Sequence, residues 1–268
     1  METTANNIKL TIDLKVLQHT ILHYKTIDST NRFLLDAEDL RNGTVVLADD
    51  QTAGRGRFNR VWQSLPEKAL LFSILLNKFY NLRTPAVYTF LAAVGVYRGL
   101  RKILPASINL SLKWPNDVLL NGKKVCGILV QGKIAGGCYE KLVIGIGLNV
   151  NQPPQFFVDK LERATSLAAE TGVEWNRDEV LNHALTAIDH LLIVLQESGE
   201  RPIIVMWQDA CESIGQEIAI DDGKKVYRGI FDGLSEDGGL RLQTKSGPMQ
   251  FYAGDVTVLK EQNNAVSD

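Results

Sequence analysis

Four polar clusters interrupt an otherwise ordinary apolar pattern, and each lies at the end of an apolar run. They are Asp28-Ser29-Thr30-Asn31, the stretch QTAGRGRFNRVW from Gln51 to Trp62, Lys113-Trp114-Pro115-Asn116-Asp117, and Gly145-Ile146-Gly147-Leu148-Asn149-Val150-Asn151. The second sets Arg55, Arg57 and Arg60 among Gly54 and Gly56. Glycines let backbone approach a ligand closely, and backbone N–H groups with arginines make a nest for an anion. Arg55 and Arg57 are expected to face opposite sides of an extended loop. The alternative is a solvated connection, which charge runs usually are. Lys113 emerges at the end of an apolar strand beside a rigid proline, a place from which an ammonium can meet a phosphate. The alternative there is a strand-edge lysine followed by a Pro-Asn turn. One helix N-cap needs one residue of the first cluster, which leaves neutral donors and acceptors over. The glycines of the fourth cluster lie inside a strand, where they cost stability unless something packs closely on them. Taken together, the clusters describe a pocket for a ligand with a phosphate and a neutral polar part.

Several matches to familiar motifs fail. GRGRFN begins like a dinucleotide fingerprint, but Asn59 stands where the third glycine belongs and no helical stripe follows. Gly127 to Ile134 approaches a P-loop, yet Ile134 replaces the magnesium-binding Ser/Thr. His19 and His23 stand four apart without a glutamate after His19, so no metal site is expected. The cysteines are Cys126, Cys138 and Cys211, an odd count without C-x-x-C, which argues against a disulfide scaffold or zinc ribbon. A reducing cytoplasm is the natural compartment.

The elements that must position these clusters are legible in outline. Ile8–Leu17 alternates loosely, as a strand or a short helix would. His23–Asn31 reads as a strand entering a helix of about Asn31–Leu40. Thr44–Asp50 and Ala69–Leu76 read as buried strands, and Ala86–Leu104 as a helix stopped by Pro105. Leu110–Trp114, Asp117–Gln131 and Cys138–Val150 are strand-rich, with turns expected at Asn121-Gly122 and Gly136-Gly137. Asn176–Gln196 and Arg201–Glu212 read as amphipathic helices. Beyond Gly215 short β segments alternate with Asp-Gly and Gly-Gly turns, as in a small antiparallel barrel. The expected class is α+β, a mixed or antiparallel sheet packed with helices plus a small C-terminal SH3-like β-barrel. The expected organisation is an N-terminal extension over 1–20, a catalytic domain over 21–213, the small domain over 214–261 and a polar tail over 262–268.

The 268 residues carry 45% hydrophobic and 22% charged side chains and a net charge of -2. That is ordinary globular composition, and it excludes a whole-molecule basic field for nucleic acid. No apolar run approaches membrane-span length, and the N-terminus lacks the basic and apolar regions of a signal peptide.

STN, QTAGRGRFNRVW, KWPNDVLLNGKKVCGILVQ and GIGLNVN, in that order, resemble the biotin protein ligases. ATSL (Ala164–Leu167) and the terminal β region are similar to that family too. The resemblance implies an ATP-dependent ligase that joins biotin and ATP into biotinyl-5′-AMP and then passes biotin to a lysine of a biotin carboxyl carrier protein. It implies that Ser29, Thr30, Asn31 and Gln51 bind the ureido head, with Gly54 and Gly127 also against biotin. Arg55, Gly56 and Arg57 would wrap the biotin carboxylate and the adenylate phosphate. Lys113 would contact both biotin and the α-phosphate, Trp62 would lie near the adenine and Asn149 near the ribose or phosphates. Lys113 and Arg57 would carry the catalysis, and Mg²⁺ would come with the ATP phosphates. The family usually has Gly at position 59 and Glu at position 131. Asn59 suits a left-handed conformation; Gln131 keeps hydrogen bonding and loses charge. Too few residues precede Ser29 for the helix-turn-helix domain of repressor-type members, so a monofunctional enzyme without nucleic acid or membrane partners is expected, with a homodimer open through a sheet edge. Lipoate ligases and octanoyl transferases, a non-catalytic biotin sensor and a DNA-binding repressor are the rival readings.

Overall fold

The computed structural model describes residues 5–77, 85–135, 138–158, 161 and 163–259. The main body runs β1 (Asn6–Lys9), β2 (Thr20–Ile27), α1 (Thr30–Asp36), β3 (Val45–Gln51), β4 (Ala69–Asn77), α2 (Pro85–Ile103), β5 (Leu110–Lys113), β6 (Asp117–Leu120), β7 (Lys123–Ala135), β8 (Cys138–Asn149), α3 (Leu167–Thr171), α4 (Arg177–Ser198) and α5 (Arg201–Asp209). Then follow β9 (Glu217–Asp221), β10 (Val226–Leu234), β11 (Leu240–Thr244), β12 (Gly247–Phe251) and β13 (Asp255–Val258).

The first eight strands form one sheet in the order β1-β2-β3-β4-β8-β7-β6-β5. Only β2 and β3 pair in parallel, because α1 carries the chain across between them. The other pairs are antiparallel, so the sheet is mixed as expected. Asn121 and Gly122 turn the chain between β6 and β7 with φ of 49 and 77, the left-handed pair that a two-residue hairpin demands. The expected Gly136-Gly137 turn lies outside the described residues.

Strand alternation sorts the side chains onto two faces. Val45, Leu47, Phe72, Ile74, Ile144 and Ile146 bury against the layer that holds α2, α4 and α5. Val46, Leu75 and Val143 point the other way, onto Leu34 of α1. Because α1 has only seven residues, it covers part of that second face. The rest, over β7 and β8, is left for a ligand.

Two expected elements differ. The helix expected over Asn31–Leu40 ends at Asp36. Glu38 and Asp39 would put negative charge at the negative end of its dipole, and Lys141 Nζ donates instead to the carbonyl of Ala37. Of Ile8–Leu17, only the first residues pair as a strand. Farther on, the N–H groups of Lys15, Val16 and Leu17 donate to the buried Asp189 carboxylate at 2.8, 2.8 and 2.7 Å, which holds the segment as an irregular strap. A carboxylate from α4 thus replaces the partners that a helix or sheet would supply.

The last five strands make an antiparallel sheet in the order β12-β11-β10-β9-β13. Its inward residues, among them Ile218, Phe231 and Leu242, join the same apolar core as Phe90 of α2 and Trp207 of α5. Gln208 of α5 also accepts the Leu234 N–H at 2.7 Å. No helix among the described residues is long and apolar enough to cross a membrane.

Candidate active site

A cavity of about 950 Å³ opens on the uncovered face of the main sheet, and all four polar clusters reach it. A smaller hollow of about 490 Å³ beside the start of α4 contains none of them. The large cavity has a neutral end and a cationic end.

At the neutral end Ser29 is the N-cap of α1, its Oγ accepting from Arg32 N at 3.4 Å. Capping therefore uses Ser29 and frees Thr30 and Asn31, both buried. Gln51 Oε1 accepts from Thr30 N at 2.8 Å and lies 3.1 Å from Thr30 Oγ1, whose single proton goes to Ser73. Thr30 Oγ1 lies 2.6 Å from Ser73 Oγ, whose hydroxyl donates to Asn31 Oδ1 at 2.6 Å. Asn31 Nδ2 donates to Gln131 Oε1 at 2.8 Å and to Leu129 O at 3.1 Å. This chain of bonds fixes which way each amide points, so the end is preorganised. Gln131 accepts here as a carboxylate would. Ser73, fully buried behind the cavity wall, supports Thr30 and Asn31 and was missed by motif reading; its signal is a lone hydroxyl inside the buried strand ALLFSILLN.

The floor is made by glycines. A Cβ on Gly145 would lie 2.1 Å from Asn31 Oδ1, and one on Gly147 would lie 2.6 Å from Trp62 Cε2. The same indole covers Gly127, where a Cβ would meet Cζ3 at 2.9 Å. Close packing thus explains glycines inside a strand. Trp62 Nε1 is buried without a hydrogen-bond partner, a donor that a ligand can use. Asn149 also lines the cavity. Its amide is taken: Nδ2 donates to Thr165 O at 2.9 Å and Oδ1 accepts from Gln152 at 3.0 Å. It fastens the segment that leads into α3.

At the cationic end the glycine-rich loop is a small hairpin. Gly56 N donates to Arg60 O at 2.7 Å and Trp62 N to Gly54 O at 3.0 Å. Phe58 and Asn59 turn it with φ of 53 and 57. Asn tolerates that left-handed region; Phe is strained there. The Arg57 guanidinium lies 4.8 Å from the Phe58 ring centre, a cation–π contact. Arg57 and Arg55 do separate, but alternation is not the cause, since residues two apart in an extended chain share a side. Arg55 lies in the extended arm bridged to Val61, whereas the chain leaves that arm at Arg57, the first residue of a short helical turn. Arg57 points inward, donating to Asn116 Oδ1 at 3.4 Å and Gly254 O at 3.3 Å. Arg55 stays exposed and donates to Asn59 at 3.3 Å.

Lys113 ends β5, half-buried, just before a cis Trp114-Pro115 bond. Burial pulls its pKa down, and Asp117 across the β5–β6 ladder partly opposes that. Asp117 also lies 2.6 Å from Lys124 Nζ. Burial lowers the Arg57 pKa as well, with Asp255 and Asp117 pulling it up; a guanidinium stays charged regardless. Arg55, Arg57, Lys113, Lys124 and Arg163 outnumber Asp117 and Asp255 around this end. Such an excess of cations beside a preorganised neutral socket can hold an anion next to an uncharged polar head.

Known proteins resemble this chain in both sequence and fold. Residues 23–149 match the biotin/lipoate A/B protein ligase family, and residues 213–259 match the biotin protein ligase C-terminal domain. The chain is 33% identical over 259 residues to the bifunctional ligase/repressor BirA of Bacillus subtilis, covering 94% of this chain and 78% of that protein. It is 32% identical over 232 residues to the biotin--[acetyl-CoA-carboxylase] ligase of Paracoccus denitrificans, covering 85% and 96%. Among solved structures it is similar to the biotin protein ligase of Aquifex aeolicus in complex with biotin and ATP, with a TM-score of 0.75, 32% identity and coverage of 90% and 98%.

Proposed function

The chain belongs to the biotin protein ligase family, and from that premise we propose how its cavity carries out the two-step reaction. The enzyme is an ATP-dependent ligase acting on biotin-dependent carboxylase carrier domains. In the first step a biotin carboxylate oxygen bonds to the α-phosphorus of ATP, giving biotinyl-5′-AMP and releasing pyrophosphate. In the second the ε-amine of an acceptor lysine attacks the acyl carbon and AMP leaves. The acceptor is a biotin carboxyl carrier protein, and the catalytic unit comprises residues 21–213.

The observation that carries this reading is the joining, on one sheet face, of the Thr30–Asn31–Gln51–Ser73 socket to the Arg57–Lys113 end. A ureido head is neutral and needs both donors and acceptors; the Gln51 amide nitrogen and the Ser29 and Thr30 hydroxyls can supply them, while Asn31, bonded to Ser73, Leu129 and Gln131, holds the socket in shape. Adenylation builds charge on phosphate oxygens, which Lys113 and Arg57 face with preorganised positive charge. No protein nucleophile is needed: Cys126 is buried in the core and its thiol is pushed far up by burial. Trp62 offers its ring to the adenine and Mg²⁺ arrives on the triphosphate. Incubating an apo carrier domain with the protein, biotin and MgATP should add one biotin to one lysine by mass spectrometry. An unmodified acceptor in the presence of folded protein would refute the reading, and acceptance of lipoate in place of biotin would favour the lipoate rival.

Two expected results follow from the socket and the loop. Gly145→Ala presses a methyl onto Asn31 Oδ1 and unseats the amide from Ser73. Leaving such buried polar groups mispaired costs about 1–3 kcal/mol, so biotin affinity measured by calorimetry should fall by about 5–150-fold. Parental affinity would remove Asn31 from the biotin site. The loop should also be cut by trypsin after Arg55, Arg57 or Arg60 in the free protein and protected by biotinyl-AMP, because the ligand adds anionic partners to its arginines. Equal cleavage with and without ligand would show that the loop does not close on the adenylate.

A further inference from the structure

The cationic loop is held from the far end of the chain. Arg60 forms an ion pair with Asp255, and Arg57 donates to Gly254 O at 3.3 Å. Both partners stand at the corner that opens β13, the edge strand of the C-terminal sheet. This corner is built for its place. Gly254 has φ of 148, and a Cβ there would meet Ile220 Cγ1 at 2.9 Å and Asp221 O at 3.0 Å. Behind it Val256 is buried in the shared core, and β13 pairs along its length with β9. Asp255 therefore sits on a rigid element, whereas Arg60 sits on a strained turn with two consecutive left-handed residues. Asp255 through Val258 also line the active-site cavity.

We propose that Asp255 is a positioning residue of the C-terminal sheet that holds the cationic loop through Arg60, so that Arg57 stays aimed at the adenylate. Asp255 itself carries a negative charge, so it does not hold the phosphate; it acts through the two arginines. Its charge is also the leading influence that supports the Arg57 guanidinium against burial. The inference rests on the reading of the loop as the adenylate clamp, but its first test does not. In the ligand-free full-length protein, Asp255→Asn should speed trypsin cleavage within Gly54–Trp62 by about two- to fivefold, the range of an exposed ion pair. Bound biotinyl-AMP should be lost faster by a similar factor, while the melting temperature stays near the parental value. Arg60→Asp alone also removes a cleavage site, so the exchange is compared with it: cleavage after Arg55 and Arg57 should be slower in Arg60→Asp with Asp255→Arg than in Arg60→Asp alone, which a merely structural role for Asp255 would not produce. Parental cleavage in Asp255→Asn, or no slowing by the exchange, would overturn the proposal. If cleavage responds as expected but no variant makes biotinyl-AMP, the loop is held as proposed and the ligase reading fails instead.

Discussion

Lys113→Gln is expected to keep biotin binding within about tenfold, roughly 1.4 kcal/mol, and to lose biotin-dependent pyrophosphate exchange by about 10²–10³, roughly 3–4 kcal/mol. The asymmetry follows from where the side chain stands. Lys113 ends a strand whose preceding residues Leu110, Ser111 and Leu112 are buried, so its stem is held and its ammonium is delivered to the cavity. The biotin socket is assembled from other elements, α1, β3, β4 and β7, and none of its hydrogen bonds involves Lys113. On the proposed reading, what depends on Lys113 is stabilisation of the charge that builds on phosphate oxygens as pyrophosphate leaves, which a fixed cation provides without reorganising.

The pH dependence adds an independent sign. The protonated amine is the active form, and burial shifts its pKa below the ordinary lysine range. Exchange measured per free enzyme should therefore fall as pH rises through that lowered value, earlier than an exposed lysine would allow. Lys113→Arg should remove this alkaline limb while keeping some activity. Calorimetry with biotin and exchange on one preparation separate the effects. Near-parental exchange in Lys113→Gln would take the residue out of the mechanism, and loss of biotin binding with intact folding would move it into the socket.

How much of this was legible before folding depends on whether the cause was local. Buried strands such as β4 and the helix α2 announce themselves through long apolar runs. The glycines of β8 announce a close approach without saying what approaches; Asn31 and Trp62, more than 80 residues earlier, are the answer. Ser73 is a single polar residue in an apolar strand, and its meaning appears only when alternation turns it to the face of Thr30 and Asn31. The strap around Asp189 and the Asp255–Arg60 pair join residues more than 170 apart, where no spacing rule operates. Helix α1 is a local failure of a different kind. Its apolar stripe continues to Leu40, but the acidic pair Glu38-Asp39 opposes the dipole and a tertiary lysine takes the Ala37 carbonyl.

Arg57→Ala is expected to form biotinyl-AMP and then fail to keep it. A charge-assisted hydrogen bond is worth about 1.5–3 kcal/mol, so the intermediate should dissociate about 10–150-fold faster than from the parent. Formation suffers less, because Lys113 remains to meet the α-phosphate while ATP is whole. After pyrophosphate departs, the adenylate keeps a single negative charge, and on the proposed reading the inward guanidinium is the cation that meets it. Arg55 is the built-in contrast. It is exposed and tied to Asn59, so Arg55→Ala should change retention by only a few-fold, as surface charges do. The alanine also leaves Asn116 Oδ1 and Gly254 O without the Arg57 donor, so a melting curve must accompany the measurement. A filter assay that counts bound against free intermediate over time then decides the matter. Parental retention in Arg57→Ala, with rapid loss in Arg55→Ala, would exchange the roles of the two arginines. It would mean that the hairpin turns over when ligand binds, carrying the exposed guanidinium inward past the left-handed pair Phe58-Asn59.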